Sequence, residues 1–191
     1  MLNCEQTKGQ TIYQHGMSVC KYTFQLIEDL KCKNKNEDWK LSEWIFDYSS
    51  DLLLNIHEDG IISKYTIFHD VGKPFCREVD ENGKVHFPDH ANVSKKTFLS
   101  ATNDHTISNL IGWDMDLHTL SSTEIEQKCK IEWSIKDACT LLLVAFAEIH
   151  SNASLFGGIA STSFKIKFKQ LEKRGKQICK YYFGEKKKMV P

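Results

Sequence analysis

An adjacent histidine and aspartate, His69 and Asp70, close an apolar stretch that runs from Ile61 to Phe68. Imidazole nitrogen beside carboxylate oxygen is a ligand pair suited to a borderline divalent metal. Gly72 lets the backbone turn sharply behind the pair, and Lys73, followed by Pro74, places a cation where a phosphate could sit. A lone His-Asp pair is commonly a surface accident. This one has His15, His90, His118 and Glu148 in order around it.

Each of those four has a bland reading beside the chemical one. His15 lies between Ile12 and Val19 on a stripe spaced for a buried helix face, so it is either a ligand or a core imidazole bonded to a neighbour. Glu148 follows Leu141, Val144 and Ala145 on the most apolar helical stretch. A carboxylate buried there without a partner would protonate or demand a cation, and a metal ion is one such cation. The alternatives are a salt bridge to a lysine, or a side chain that snorkels to the helix end. His90 opens a helix after Phe87-Pro88-Asp89, and His118 follows Asp114 and Asp116 at even spacing; each by itself suits a solvated surface. Lys73 in its bland reading faces solvent. His57, His86, His105 and His150 read as structural, His150 because two residues from Glu148 points to another helix face.

The elements that must hold these residues follow from periodicity. A helix is predicted over residues 11–30, with Ile12, Val19, Tyr22, Leu26 and Leu30 on one side. Residues 31–38 are polar and read as a loop. A second helix is predicted over 41–56, started by Ser42 or Asp38, and Asp59-Gly60 breaks it before a third carries Ile61 to Phe68. Residues 75–79 and 84–87 flank Asn82-Gly83, a strong hairpin turn. Asp89 is a plausible cap for a helix through Ala101, and a short segment from Ile107 to Trp113 precedes the acidic turn at Asp114. A buried helix starts at Ser134 or Asp137, and Ser161-Thr162-Ser163 can cap a last helix over 161–183. The chain is predicted to be mainly α, a helical bundle with one short β-hairpin, in a single domain over 1–191.

Composition narrows the function classes. Lys+Arg and Asp+Glu are 25 each, so no global basic field draws the chain to nucleic acid and any such contact must be local. The 7 cysteines are odd in number and scattered, without Cys-x-x-Cys, which points to reduced thiols instead of a disulfide framework or zinc knuckle. The opening residues lack the apolar core of a signal peptide, and the longest apolar run, Leu141 to Ala147, is too short for a bilayer. The expectation is a cytoplasmic protein with no membrane partner. Lys165, Lys167, Lys169, Lys173, Arg174 and Lys176 on the last helix could hold a polyanion or form a solvated face.

The order His15, His69-Asp70, His90, His118 and Glu148 on successive helices resembles the HD-domain metal-dependent phosphohydrolases. The run His69-Asp70-Val71-Gly72-Lys73-Pro74, followed by a hairpin and then a histidine at a helix start, is closest in pattern to the HD domain of bacterial tRNA nucleotidyltransferases. The likeness covers roughly residues 12–150 and includes nothing of the nucleotidyltransferase catalytic domain. It implies an HD-like fold, with His15, His69, Asp70 and Glu148 as metal ligands and Asp70 able to bridge two ions. His90 and His118 would complete a second site or act on the phosphate. The chain departs from the pattern twice. Glu148 stands where an aspartate is usual, and Ala91 where a glutamate often follows the third histidine.

The resemblance implies one or two divalent ions (Mn, Fe, Ni, Zn or Mg) and hydrolysis of a phosphomonoester or phosphodiester. The favoured substrate is a nucleotide or an RNA end, including 2′,3′-cyclic phosphates. Asp70 would orient the attacking water, Lys73 would bind the phosphoryl oxygens, and His90 or His118 would protonate the leaving oxygen. Two other readings stand beside it: a cyclic-nucleotide or nucleoside-monophosphate hydrolase, and a catalytically degenerate HD fold that binds a nucleotide or protein partner.

Overall fold

The computed structural model describes residues 1–7, 9–34, 36 and 39–186. The described chain is mainly helical, with two small antiparallel hairpins. In chain order, β1 (Glu5–Thr7) and β2 (Gln10–Thr11) lead into α1 (Ile12–Lys31), α2 (Glu43–Asp47), α3 (Ser49–Leu54) and α4 (Asp59–Phe68). A 3-10 turn at Lys73–Phe75 precedes β3 (Glu78–Val79) and β4 (Val85–His86). Six helices follow: α5 (His90–Thr102), α6 (His105–Trp113), α7 (Asp116–Thr119), α8 (Ser122–Ile131), α9 (Ile135–Ser151) and α10 (Thr162–Phe183). No described helix is long and apolar enough to cross a membrane. All seven cysteines are free thiols.

The chain forms two compact units, each assembled from two stretches of sequence. The first takes residues up to Lys21 and Glu58–Met115; the second takes Tyr22–His57 and the residues from Asp116 onward.

In the first unit, α4 and α5 both pack on α6. Ile12 and Val19 of α1, Ile62 and Tyr65 of α4, Phe98 of α5, and Ile107, Leu110 and Ile111 of α6 are buried. Two glycines set how closely the backbone approaches itself. A Cβ on Gly16 would lie 2.3 Å from the Ile67 carbonyl oxygen, and one on Gly72 2.3 Å from the Ser94 nitrogen. Neither position tolerates even a methyl group without moving backbone. Gly72 N also donates to Ser94 Oγ at 2.9 Å, which fixes the turn after the His-Asp pair against α5.

In the second unit, α10 packs on α7, α8 and α9. Its core combines Leu142, Val144 and Phe146 of α9 with Phe164, Phe168, Leu171 and Ile178 of α10. Ser134 caps α9 in a reciprocal box with Asp137, and Ser161 Oγ accepts from Phe164 N at 3.1 Å to cap α10.

Several local expectations change. The helix predicted over 41–56 is broken at Tyr48, where Ser49 Oγ donates to the Phe46 carbonyl at 2.9 Å and competes with the helical ladder. Ser42 precedes α2 but makes no side-chain cap, and Asp38 lies outside the described residues, as do Lys187 and Lys188 of the lysine tail. Asp59-Gly60 does not break a helix; both belong to the first turn of α4. Asp89 stands at the N-cap of α5 but makes no side-chain capping bond. Its backbone is left-handed (φ 51°) and its carboxylate accepts from the Asn92 side chain. The expected hairpin forms but is short, its turn held by Asp80 Oδ1 accepting from Asn82 N and Lys84 N, both at 2.9 Å. The β1–β2 hairpin and α8, whose start is a Ser121–Glu124 capping box, were not anticipated.

Candidate metal centre

The end of α4 and the turn behind it bring His69, Asp70 and Lys73 together, and the first turns of α1 and α5 add His15 and His90. His15, His69, Asp70 and Lys73 are all buried, and His90 is half-buried. His69 Nδ1 lies 2.7 Å from the Thr66 carbonyl, and His90 Nδ1 lies 3.0 Å from the Phe87 carbonyl. A carbonyl only accepts, so each Nδ1 carries a proton and Nε2 is the ring atom turned toward the site. Both acceptors are three residues before their histidine, which is a second anchoring feature common to the two rings.

These nitrogens converge on one carboxylate. His15 Nε2 and His69 Nε2 are 3.2 Å apart, and they lie 3.7 and 3.3 Å from Asp70 Oδ2. His90 Nε2 lies 3.6 Å from the other oxygen, Oδ1. The two oxygens of Asp70 thus face different imidazoles, the disposition a bridging carboxylate needs. Oδ1 is buried and has no hydrogen-bond partner among the described residues. An unsatisfied buried acceptor costs roughly 1–3 kcal/mol, and a cation beside it removes that cost. His15 and His69 are themselves close enough to take part in holding one metal ion. The donor set of imidazole nitrogens and a carboxylate fits a borderline divalent ion.

Lys73 folds back onto the His-Asp pair. Its ammonium lies 2.6 Å from Asp70 Oδ2 and 5.5 Å from the centroid of the Phe87 ring, and the side chain is buried instead of facing solvent. Burial pushes the Asp70 carboxyl up, but His69, Lys73 and His15 outweigh it and hold the group well below the usual carboxylate range. Asp70 is therefore an anion at neutral pH, charge-balanced in part by Lys73.

The remaining two site residues, His118 and Glu148, are both in the second unit. His118 Nε2 lies 3.0 Å from Glu148 Oε2, with the side chains 20% and 15% exposed. Glu148 is neither sealed nor unpartnered, so its carboxylate does not by itself demand a metal. Arg174, grouped with the lysines in the sequence, points instead at the backbone around His118. Its Nη1 donates to the carbonyls of Leu117 at 3.1 Å and His118 at 3.4 Å, and its Nε donates to that of Leu120. It closes the end of α7 and so orients His118.

Three of the histidines read as structural have structural partners. His57 pairs with Asp137 at 2.8 Å and His86 with Asp80 at 2.9 Å. His150 Nδ1 donates to Phe146 O and its Nε2 accepts from Lys40 N; burial pulls its pKa down to about 4, which keeps it neutral. The sequence reading missed Thr66, Phe87 and Ser94, which aim the rings and the turn. Their only signal is position, three residues before a histidine in the first two cases.

No known family model, curated protein or solved structure matches this chain. The chemical reading stands on the geometry around Asp70 and on the pattern of the sequence.

Proposed function

We propose that the protein is a metal-dependent phosphohydrolase acting on a nucleotide or RNA-end phosphoester, 2′,3′-cyclic phosphates among them. The observation that carries this reading is the buried Asp70 carboxylate, with His15 and His69 at one oxygen and His90 near an otherwise unpartnered second oxygen. His15, His69 and Asp70 would hold the ion, and His90 would face a second. Such an ion (Mn, Fe, Ni, Zn or Mg) supplies a water of near-neutral pKa and polarises a phosphoryl oxygen.

The side chains of this chain do the rest. Asp70 orients the attacking water through the oxygen that faces His90. Where no second ion is bound, His90, 19% exposed, is reachable from solvent and, when protonated at Nε2, can pass that proton to the leaving oxygen. Lys73 offsets the Asp70 charge, so its effect on a phosphoryl group is exerted through Asp70. The role of His118 as an acid belongs to the resemblance alone.

A second reading, a catalytically degenerate HD fold that binds a nucleotide without turnover, is favoured by one observation: Lys73 already balances Asp70 where a metal would compete with it. Elemental analysis of the untreated protein, with hydrolysis of bis(4-nitrophenyl) phosphate and a nucleotide and cyclic-phosphate RNA panel in added Mn²⁺, separates the two. Bound metal and metal-dependent turnover lost in Asp70→Asn support the hydrolase. Absence of both metal uptake and turnover sinks it.

A further inference from the structure

The outward face of α10 carries a row of lysines that the metal-centre chemistry does not use. Lys165, Lys169, Lys173 and Lys176 follow one another at four-, four- and three-residue spacing, so they lie within one narrow arc of the helix. All four are exposed, and none has an ion-pair partner among the described residues. Some surface lysines elsewhere are paired, Lys31 with Glu28, Lys128 with Asp116 and Glu132, Lys130 with Glu126 and Lys180 with Glu185, while the exposed Lys21, Lys64, Lys96 and Lys136 have no ion pair among the described residues; what sets the α10 row apart is its alignment on one helix face. The one carboxylate inside the row, Glu172, accepts from the Trp44 indole N–H through Oε1 at 3.0 Å.

The row is also placed against the preference of the helix. It begins in the first turn, at the positive end of the macrodipole, with no acidic residue there to offset it. Like charges at i, i+4 repel as well. Both effects make the row unfavourable for the helix taken by itself. Between these side chains runs a groove of 530 Å³ lined by Ile166, Lys169, Gln170, Glu172, Lys173 and Lys176. Lys176 packs over the Trp44 ring at 5.8 Å, which fixes one end of the row.

We propose that this face binds the phosphodiester backbone of a single-stranded nucleic acid. Successive lysines one helical turn apart, roughly 5–6 Å between Cβ atoms, lie close to the step between successive phosphates of an extended strand. The ammonium is a point charge that takes phosphate without reading bases, so binding is insensitive to sequence. A single exposed isoleucine among the lysines offers too little apolar area for insertion into a lipid surface. The surface belongs to the second unit and needs no metal, so its failure leaves the phosphohydrolase reading untouched.

The test is fluorescence anisotropy with a short fluorescein-labelled oligouridine in EDTA. Four phosphate contacts give a slope of log K against log salt of about −3, or roughly fiftyfold weaker binding between 50 and 200 mM salt. Lys165→Gln, Lys169→Gln and Lys173→Gln together should flatten the slope by about two, while the three corresponding Lys→Arg changes should preserve it. Acetylation footprinting of the unmodified chain is a readout that does not depend on how the variants fold; the oligonucleotide should protect Lys165, Lys169 and Lys173. No binding at 50 mM salt, an unchanged slope in a folded triple Lys→Gln variant, or absence of protection overturns the proposal. So does binding to phosphatidylserine vesicles in the absence of any oligouridine binding.

Discussion

The Lys73 ammonium and the Asp70 carboxylate form a buried ion pair at 2.6 Å, on the same oxygen that faces His15 and His69. Lysine and a metal ion therefore compete for one anion. Lys73→Met should cost the metal-free protein about 3 kcal/mol, since removing one partner leaves the other charge buried. The same change should tighten Mn²⁺ binding by about tenfold, because a repelling cation is gone. Urea unfolding with and without Mn²⁺, alongside titration calorimetry, reads both effects. Weaker metal binding in the variant would show that Lys73 orders the site instead of competing in it.

Asp70→Asn keeps the shape of the side chain while removing its charge. It should lower metal-dependent hydrolysis by at least about a hundredfold, because the carboxylate both holds the ion and orients water. It also leaves Lys73 buried beside a neutral amide, so some stability is lost with the activity. Measuring turnover of the best substrate beside the melting temperature separates the two. Full turnover in a folded Asn variant would place any activity elsewhere.

How much of this was legible in the sequence differs from residue to residue. The His69-Asp70 pair was legible because two ligand types abut at the end of an apolar run, and His15 because it shares a stripe with Ile12 and Val19. Both rest on helical periodicity, which local sequence carries. The place of Lys73 was not legible, since spacing alone cannot say whether a lysine folds back on a residue three before it. The break at Tyr48 was hidden as well. Apolar spacing over 41–56 fits one helix, and only the Ser49 hydroxyl turned onto the Phe46 carbonyl marks the kink. The apolar neighbours of Glu148 leave both burial and the helix end open, and it sits near the helix end, where His118 meets it.

Gly16 is the least conspicuous residue that shapes the candidate centre. It follows His15, and a Cβ there would meet the Ile67 carbonyl two residues before His69. Gly16→Ala should therefore part the two backbones, cost about 1–3 kcal/mol, and weaken metal binding together with stability. Gly60 is the control: a Cβ on it meets nothing within 4 Å. Gly60→Ala, inside the first turn of α4, should be neutral or stabilise by about 0.5–1 kcal/mol and leave metal binding alone. Thermal unfolding and calorimetry on the pair decide it; two variants that behave alike would mean the close approach at Gly16 is not what positions His15.

Acid sensitivity should appear at the start of α9, away from the catalytic question. Burial pushes the Asp137 carboxyl up, but hydrogen bonds from His57 and from the side chain and backbone of Ser134 outweigh it and leave the group below its usual value of 3.8. A depressed acid stabilises the fold when ionised, so the contribution is complete above the unfolded value and is lost as pH falls through the lower, folded one. Asp137→Asn should cost about 1–2 kcal/mol at neutral pH, as the charge-assisted bonds to Ser134 and His57 weaken. The gap between parent and variant should narrow only below the ordinary carboxylate range. Urea midpoints followed from neutral pH to about pH 3 give the curve directly. A gap that closed already near pH 5 would assign the acid sensitivity to a different carboxylate, one whose pKa is raised.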